Sequence, residues 1–171
     1  MRENKFLIVG SIGSGKTTLA NNISKILKIK NFELDDVVYK RRDIHEKRGP
    51  KKRNNKVKII LKRKKWIIEG FHSDPWTYPI YKSANKIIIL KIKPSICKRR
   101  VFKRFLKRNL SFRKKTHQNK KLKTMLKLLK YIDKYPKKNF KDQKKASKLN
   151  GKTPLILKNN KQIKKFIKSI K

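Results

Sequence analysis

Acidic residues are scarce in this chain: ten Asp and Glu stand against fifty-three Lys and Arg, so its 171 residues carry a formal net charge of +43. Cysteine is scarcer. Cys97 is the only one, which excludes an intramolecular disulfide and a multi-cysteine zinc site and points to an intracellular protein. Long apolar runs are missing too, with nothing near the ~20 residues needed to span a bilayer. The N-terminus passes from Lys5 straight into a strand pattern, without the layout of a signal peptide. A single cytoplasmic domain covering residues 1–171, with no membrane partner, is the expectation.

That length is enough to bury a core, although apolar residues make up only 36% and charged residues 37%. The positive charge has two readings. Clustered Lys and Arg would bind a phosphate backbone by counterion release. Lysine scattered over neutral surface positions costs little stability and needs no partner. Here lysine occurs in every segment beside Ile and Asn, which favours compositional drift; charge in any case informs about association and not about fold. The acids say more. Eight of the ten lie in the first seventy-four residues, several at or beside the ends of predicted strands, and only Asp133 and Asp142 come later.

Glycine is sparse as well, six in all, yet Gly10, Gly13 and Gly15 fall together in Gly10-Ser11-Ile12-Gly13-Ser14-Gly15-Lys16-Thr17-Thr18. This fits the phosphate-loop pattern G-x-x-x-x-G-K-[ST]. The apolar run Phe6-Leu7-Ile8-Val9 precedes it, and Leu19, Ile23, Ile26 and Leu27 follow at helical spacing. Glycines there let successive N–H groups turn toward phosphate oxygens, and a helix N-terminus favours an anion. Lys16 supplies a mobile positive charge for the outer phosphates, and Thr17 offers a hydroxyl to magnesium. Gly10, Ser11, Gly13, Ser14, Gly15, Lys16, Thr17 and Thr18 are therefore the expected ATP-binding residues.

Further along, residues 29–35 read as a second strand ending in acids, which places Asp35 and Asp36 at the edge where open α/β sheets bind ligands. Gly49-Pro50 breaks a charged tract, and residues 51–64 read as a basic helix with a narrow apolar face. Lys65-Trp66-Ile67-Ile68-Glu69-Gly70-Phe71 is a strand ending in acid then glycine. Glu69 could hold magnesium there, and Gly70 would allow close backbone approach to a ligand. Residues 72–79 form an aromatic and polar loop suited to a substrate pocket, while His72 alone reads more simply as a surface histidine. Lys86-Ile87-Ile88-Ile89-Leu90-Lys91-Ile92 has the continuous apolar run of a strand buried on both faces. Pro94 then opens a helix in which Arg100 and Arg104, four apart, share a face and can converge on a transferring phosphate. Residues 109–120, with Arg113 and His117, read as a loop, part of a lid-like basic segment at about 105–120. An amphipathic helix from Leu122 to Ile132, a polar helix up to Asn150-Gly151, a strand at Thr153-Pro154-Leu155-Ile156-Leu157 and a closing helix complete the chain. Alternating strands and helices imply one parallel sheet covered on both faces.

On the phosphate loop, on Ile67-Ile68-Glu69-Gly70-Phe71 and on the Arg100, Arg104 pair, the chain resembles adenylate-kinase-like P-loop kinases. Leu34-Asp35, Trp66-Ile67-Ile68-Glu69-Gly70, Cys97 with the two arginines behind it, and Pro154-Leu155-Ile156-Leu157-Lys158 are similar to the FlaR-like, or DNA topology modulation, family. The resemblance implies a five-stranded parallel sheet of the nucleotide-kinase type and phosphoryl transfer from ATP with magnesium. One feature of true adenylate kinases is missing: Phe71-His72-Ser73 carries no arginine after Gly-Phe, which puts AMP as acceptor in doubt.

The expected function is thus an ATP-dependent kinase acting on a nucleotide-like or other small acceptor. Lys16, Arg100, Arg104 and Asp35 are its catalytic candidates, and Thr17 and Glu69 its magnesium ligands. The alternative is an ATPase whose basic surface binds nucleic acid, although no separate module for that partner can be found.

Overall fold

A computed structural model describes residues 4–41, 46–72, 74–110, 118–149 and 151–170. Five strands form one parallel sheet: β1 (Lys5–Gly10), β2 (Asn31–Glu33), β5 (Trp66–Gly70), β6 (Lys86–Leu90) and β7 (Leu155–Leu157), in the order β2-β5-β1-β6-β7. Strand β1 lies at the centre because its side chains are apolar on both faces. Phe6 and Ile8 pack into one buried cluster and Leu7 and Val9 into another, all four at most 1% exposed. Fully burying such a side chain stabilises by about 1.5–3 kcal/mol. A modest apolar share can therefore suffice when it is concentrated in the central strands.

Helices cover both faces. The first cluster is closed by α1 (Lys16–Leu27), α5 (Pro94–Leu110), α6 (Gln118–Lys134) and α8 (Asn160–Ser169). On the other face lie α2 (Leu34–Val38), α3 (Pro50–Leu61), α4 (Tyr78–Ser83) and α7 (Asn139–Leu149). The chain leaves β1 toward β2 and β5 on one side and later adds β6 and β7 on the other. The strand order thus reverses beside β1, and at such a switch point the loops after the strands open a crevice. Register brings the strand ends together, Val9 opposite Gly70 and Glu33 opposite Glu69.

Several boundaries differ from the sequence reading. The second strand ends at Glu33, and Asp35 and Asp36 occupy the first turn of α2. Alternation in Phe32, Glu33, Leu34 and Asp35 does not persist as a strand, because Leu34 and Val37 turn inward together at helical spacing to pack on the sheet. The basic helix stops at Leu61, and the loop after β5 winds into a 3-10 turn (Pro75–Thr77) that runs on into α4. A short antiparallel pair, β3 (Tyr39–Arg41) with β4 (Glu46–Lys47), occupies the charged tract before Gly49, joined across its strands by Lys40 and Glu46 at 3.0 Å. Asn109 and Leu110 continue α5 and Gln118 to Lys120 begin α6, so only residues 111–117 of the expected loop, including Arg113 and His117, lie outside the described residues. No described helix is long and apolar enough to cross a membrane.

Candidate functional site

The glycine-rich loop joins β1 to α1 at the centre of the sheet. Gly13 has φ +75°, a left-handed conformation, and a β-carbon there would come within 2.6 Å of the Cys97 carbonyl oxygen at the start of α5. Only glycine fits. From Lys16, the first residue of α1, Nζ donates to the Ser11 carbonyl at 2.9 Å. Arg100, nearly two turns into α5, reaches back across the loop: its Nη1 donates to the carbonyls of Gly13 and Ser14 at 3.2 and 3.0 Å, and its Nη2 to Asn160 Oδ1 at 3.0 Å. The hydroxyls of Ser11 and Ser14 are buried and have no hydrogen-bond partner among the described residues. Buried orphans of that kind in a loop of this shape fit a bound anion.

Beside the loop, Thr17 Oγ1 donates to Glu69 Oε1 at 2.7 Å, across 52 residues of chain. Glu69 ends up 4% exposed because β5 is covered on both faces. Burial pushes its carboxyl above the ordinary carboxylate range; the Thr17 hydrogen bond and Lys16 oppose that shift, whereas Glu33 and Asp35 add to it. Burial likewise lowers Lys16, against the attraction of Glu69, Asp35 and Cys97 and with a further push from Arg104. Among the described residues no group of three or more His, Cys, Asp or Glu could hold a metal by itself. An oxygen pair such as Thr17 and Glu69 suits a hard cation that takes most of its remaining ligands from phosphates and water.

These groups face a cavity of about 640 Å³. Of the residues singled out from the sequence, Gly13, Gly15, Lys16, Thr17, Thr18, Asp35, Glu69, Arg100 and Arg104 line it, while Gly10, Ser11 and Ser14 are not on its wall. The wall also includes Glu33 and Phe71, together with the apolar Ile12, Val101 and Leu128, none of which the sequence assigns to the site. For Glu33 the signal is its place at a strand's C-terminal end, two residues before Asp35. Phe71 carried none, since its role depends on partners far along the chain: Gln143 Nε2 donates to its carbonyl at 2.9 Å, and Tyr135 holds Gln143 through a 2.6 Å hydrogen bond from its hydroxyl. Gly70 also has a reason that the sequence did not suggest. A β-carbon there would lie 2.7 Å from Leu34 Cβ, so this glycine admits α2 against β5 in addition to lining the cavity.

Beside Asp35, His72 stands between two carboxylates. Its Nε2 is 3.5 Å from Asp35 Oδ1 and its Nδ1 3.5 Å from Asp74 Oδ2. The imidazole packs on Trp76 with ring centroids 5.4 Å apart, and the Arg53 guanidinium lies over the indole at 4.6 Å.

No family model matches the chain. It is similar to the shikimate kinase of Francisella tularensis subsp. novicida, 25% identical over 104 residues that cover 53% of this chain and 59% of that protein. The chain therefore spans less than two thirds of that relative's length. Among solved structures, shikimate kinase from Bacteroides thetaiotaomicron superposes with a TM-score of 0.59 at 15% identity, over 99% of this chain and 97% of that one. Shikimate kinase from Acinetobacter baumannii, in complex with shikimate, gives 0.58 at 15% identity over 98% and 90%. A gluconokinase from Sinorhizobium meliloti gives 0.51 at 11% over 98% and 89%. At such identities the likeness is one of fold: the chain has the α/β P-loop fold of these small kinases, with its five-stranded parallel sheet.

Proposed function

We propose that the protein is an ATP-dependent phosphotransferase that moves the γ-phosphoryl group to a small nucleotide-like or other hydroxyl-bearing acceptor. The observation that carries this reading is the meeting, in one cavity, of a phosphate loop, a Thr17–Glu69 oxygen pair and a carboxylate from a separate element, Asp35. Lys16 and the loop amides hold the phosphates of ATP. Thr17 and Glu69 hold magnesium, which when bound offsets charge on phosphate oxygens. Arg100 and Arg104 add positive charge from α5. Asp35 orients the acceptor hydroxyl and takes its proton, a role that its place on the wall of the same cavity allows.

The finer affinity to the FlaR-like family belongs to this proposal and rests on the sequence features alone. A first acceptor to test is shikimate, the ligand of a structural neighbour. AMP is a poor candidate because the arginine that follows Gly-Phe-Pro in adenylate kinases is missing from Gly70-Phe71-His72-Ser73. A nucleic-acid partner draws no support from the site, whose acceptor wall presents Glu33 and Asp35.

The test is a phosphoryl-transfer screen with radiolabelled ATP against nucleosides, nucleoside monophosphates and small hydroxylated compounds including shikimate. Lys16→Ala should lower transfer by at least ~100-fold, the scale of losing a charge-stabilising donor. A Lys16→Ala protein working at full rate would refute the proposal. Hydrolysis stimulated by RNA or DNA, with no transfer to any small acceptor, would replace it with the alternative.

A further inference from the structure

Asp35, on the cavity wall, has the His72 imidazole against its carboxylate. It sits in the first turn of a five-residue helix, and its side chain is 57% exposed. A reacting group gains from being held in one orientation, and a neighbour that contacts it contributes to that. His72 is different: its side chain is only 24% exposed and is hemmed in from several directions. Asp35 comes from α2, Asp74 from the loop that carries His72, Trp76 from the 3-10 turn, and Arg53 from α3 lies on Trp76. Among the described residues, Asp35, Asp74 and Trp76 are the charged and aromatic contacts of the imidazole, with Arg53 behind Trp76.

Contacts with carboxylates this exposed add little to stability, so fold stabilisation is a weak explanation for the arrangement. Both contacts, at 3.5 Å, are longer than a formed hydrogen bond, as catalytic contacts often are before substrate tightens them.

We propose that His72 is a positioning residue, which holds the Asp35 carboxylate toward the acceptor through Nε2 while Asp74 at Nδ1 and the Trp76 ring fix the imidazole. This rests on the role given to Asp35 above. Two of its substitutions separate the two edges of the ring. Glutamine places an amide nitrogen at the same bond count as Nε2 and so can still reach Asp35, whereas asparagine replaces Nδ1 and reaches only toward Asp74.

The experiment uses the full chain with ATP, offering shikimate and adenosine as acceptor probes, and measures kcat and the KM for ATP. His72→Asn should lower kcat by about 10- to 100-fold with the KM for ATP unchanged, the scale of misplacing one reacting group. His72→Gln should recover most of that loss. In an Asp35→Asn background neither substitution should cost anything further. Equal activities for the two variants, a better rescue by asparagine, or losses that add to that of Asp35→Asn would overturn the proposal. If the wild-type protein transfers phosphate to neither probe, the functional reading is what has failed for those acceptors, and the contact is judged separately by NMR. In ¹⁵N-labelled protein, Asp35→Asn should then shift the His72 Nε2 resonance more than the Nδ1 resonance. An unmoved Nε2 would overturn the proposal by itself.

Discussion

Replacing Arg100 by methionine separates two roles that this side chain could have. If it only neutralises transferred charge, its loss should reduce kcat and leave the protein and its ATP affinity intact. The structure instead shows the guanidinium spent on the loop, with donations to the carbonyls of Gly13 and Ser14 and to Asn160 Oδ1. A hydrogen bond from a charged donor contributes about 1.5–3 kcal/mol when well buried. The two loop bonds are part-buried and the third is exposed. Taking ~1 kcal/mol for each of the first two and a few tenths for the third gives about 2–3 kcal/mol. For a chain of this size each kcal/mol moves the midpoint by about 2–4 °C, so Arg100→Met should lower Tm by roughly 5–10 °C. ATP should bind about tenfold more weakly by titration calorimetry, since a slack loop must be ordered on binding. Arg100→Lys keeps the charge but not the fork, and should fall between the two in Tm. An unchanged Tm and ATP affinity alongside a large loss of kcat would refute the bracing argument.

Glu69→Gln tests the buried carboxyl. Its folded-state proton affinity is raised above the ordinary value of 4.5, so its favourable contribution is present below that pH and is lost as pH rises through the raised value. Urea unfolding at about pH 4.5 and about pH 7.5 should therefore show less loss of stability across the interval in Glu69→Gln than in wild type. Parallel curves would contradict the shift. Gly70→Ala pushes a methyl group to 2.7 Å from Leu34 Cβ and 2.8 Å from its Cδ1. Moving α2 to relieve this should cost about 1–3 kcal/mol in denaturant unfolding. Turnover should fall more than ATP affinity, because α2 carries Asp35 and not the loop; a selective loss of ATP binding would argue otherwise.

The central strands were legible in the sequence because β1, β5 and β6 are buried on both faces, which leaves unbroken apolar runs. The phosphate loop was legible for a related reason, since its glycines, lysine and threonine are all local to one turn. Asp35 was found, but on the wrong kind of element. Four residues of alternating polarity do not distinguish a strand end from a short helix whose inward side chains meet a sheet. Arg100 and Arg104 were correctly set on one helix face. The direction of the Arg100 fork was not readable, because its acceptors lie 86 and 87 residues away.

What the sequence determined by itself is the anion-binding turn and the order of strands and helices, both of which follow from nearest neighbours and from periodicity. The tertiary structure alone decided which acids face that turn, that Gly70 admits α2, and that His72 stands between Asp35 and Asp74. Those outcomes depend on a parallel register in which β5 lies between β1 and β2, and on helices returning over both faces. Side chains distant in sequence meet there because the sheet sets where strand ends emerge, and no local pattern encodes that.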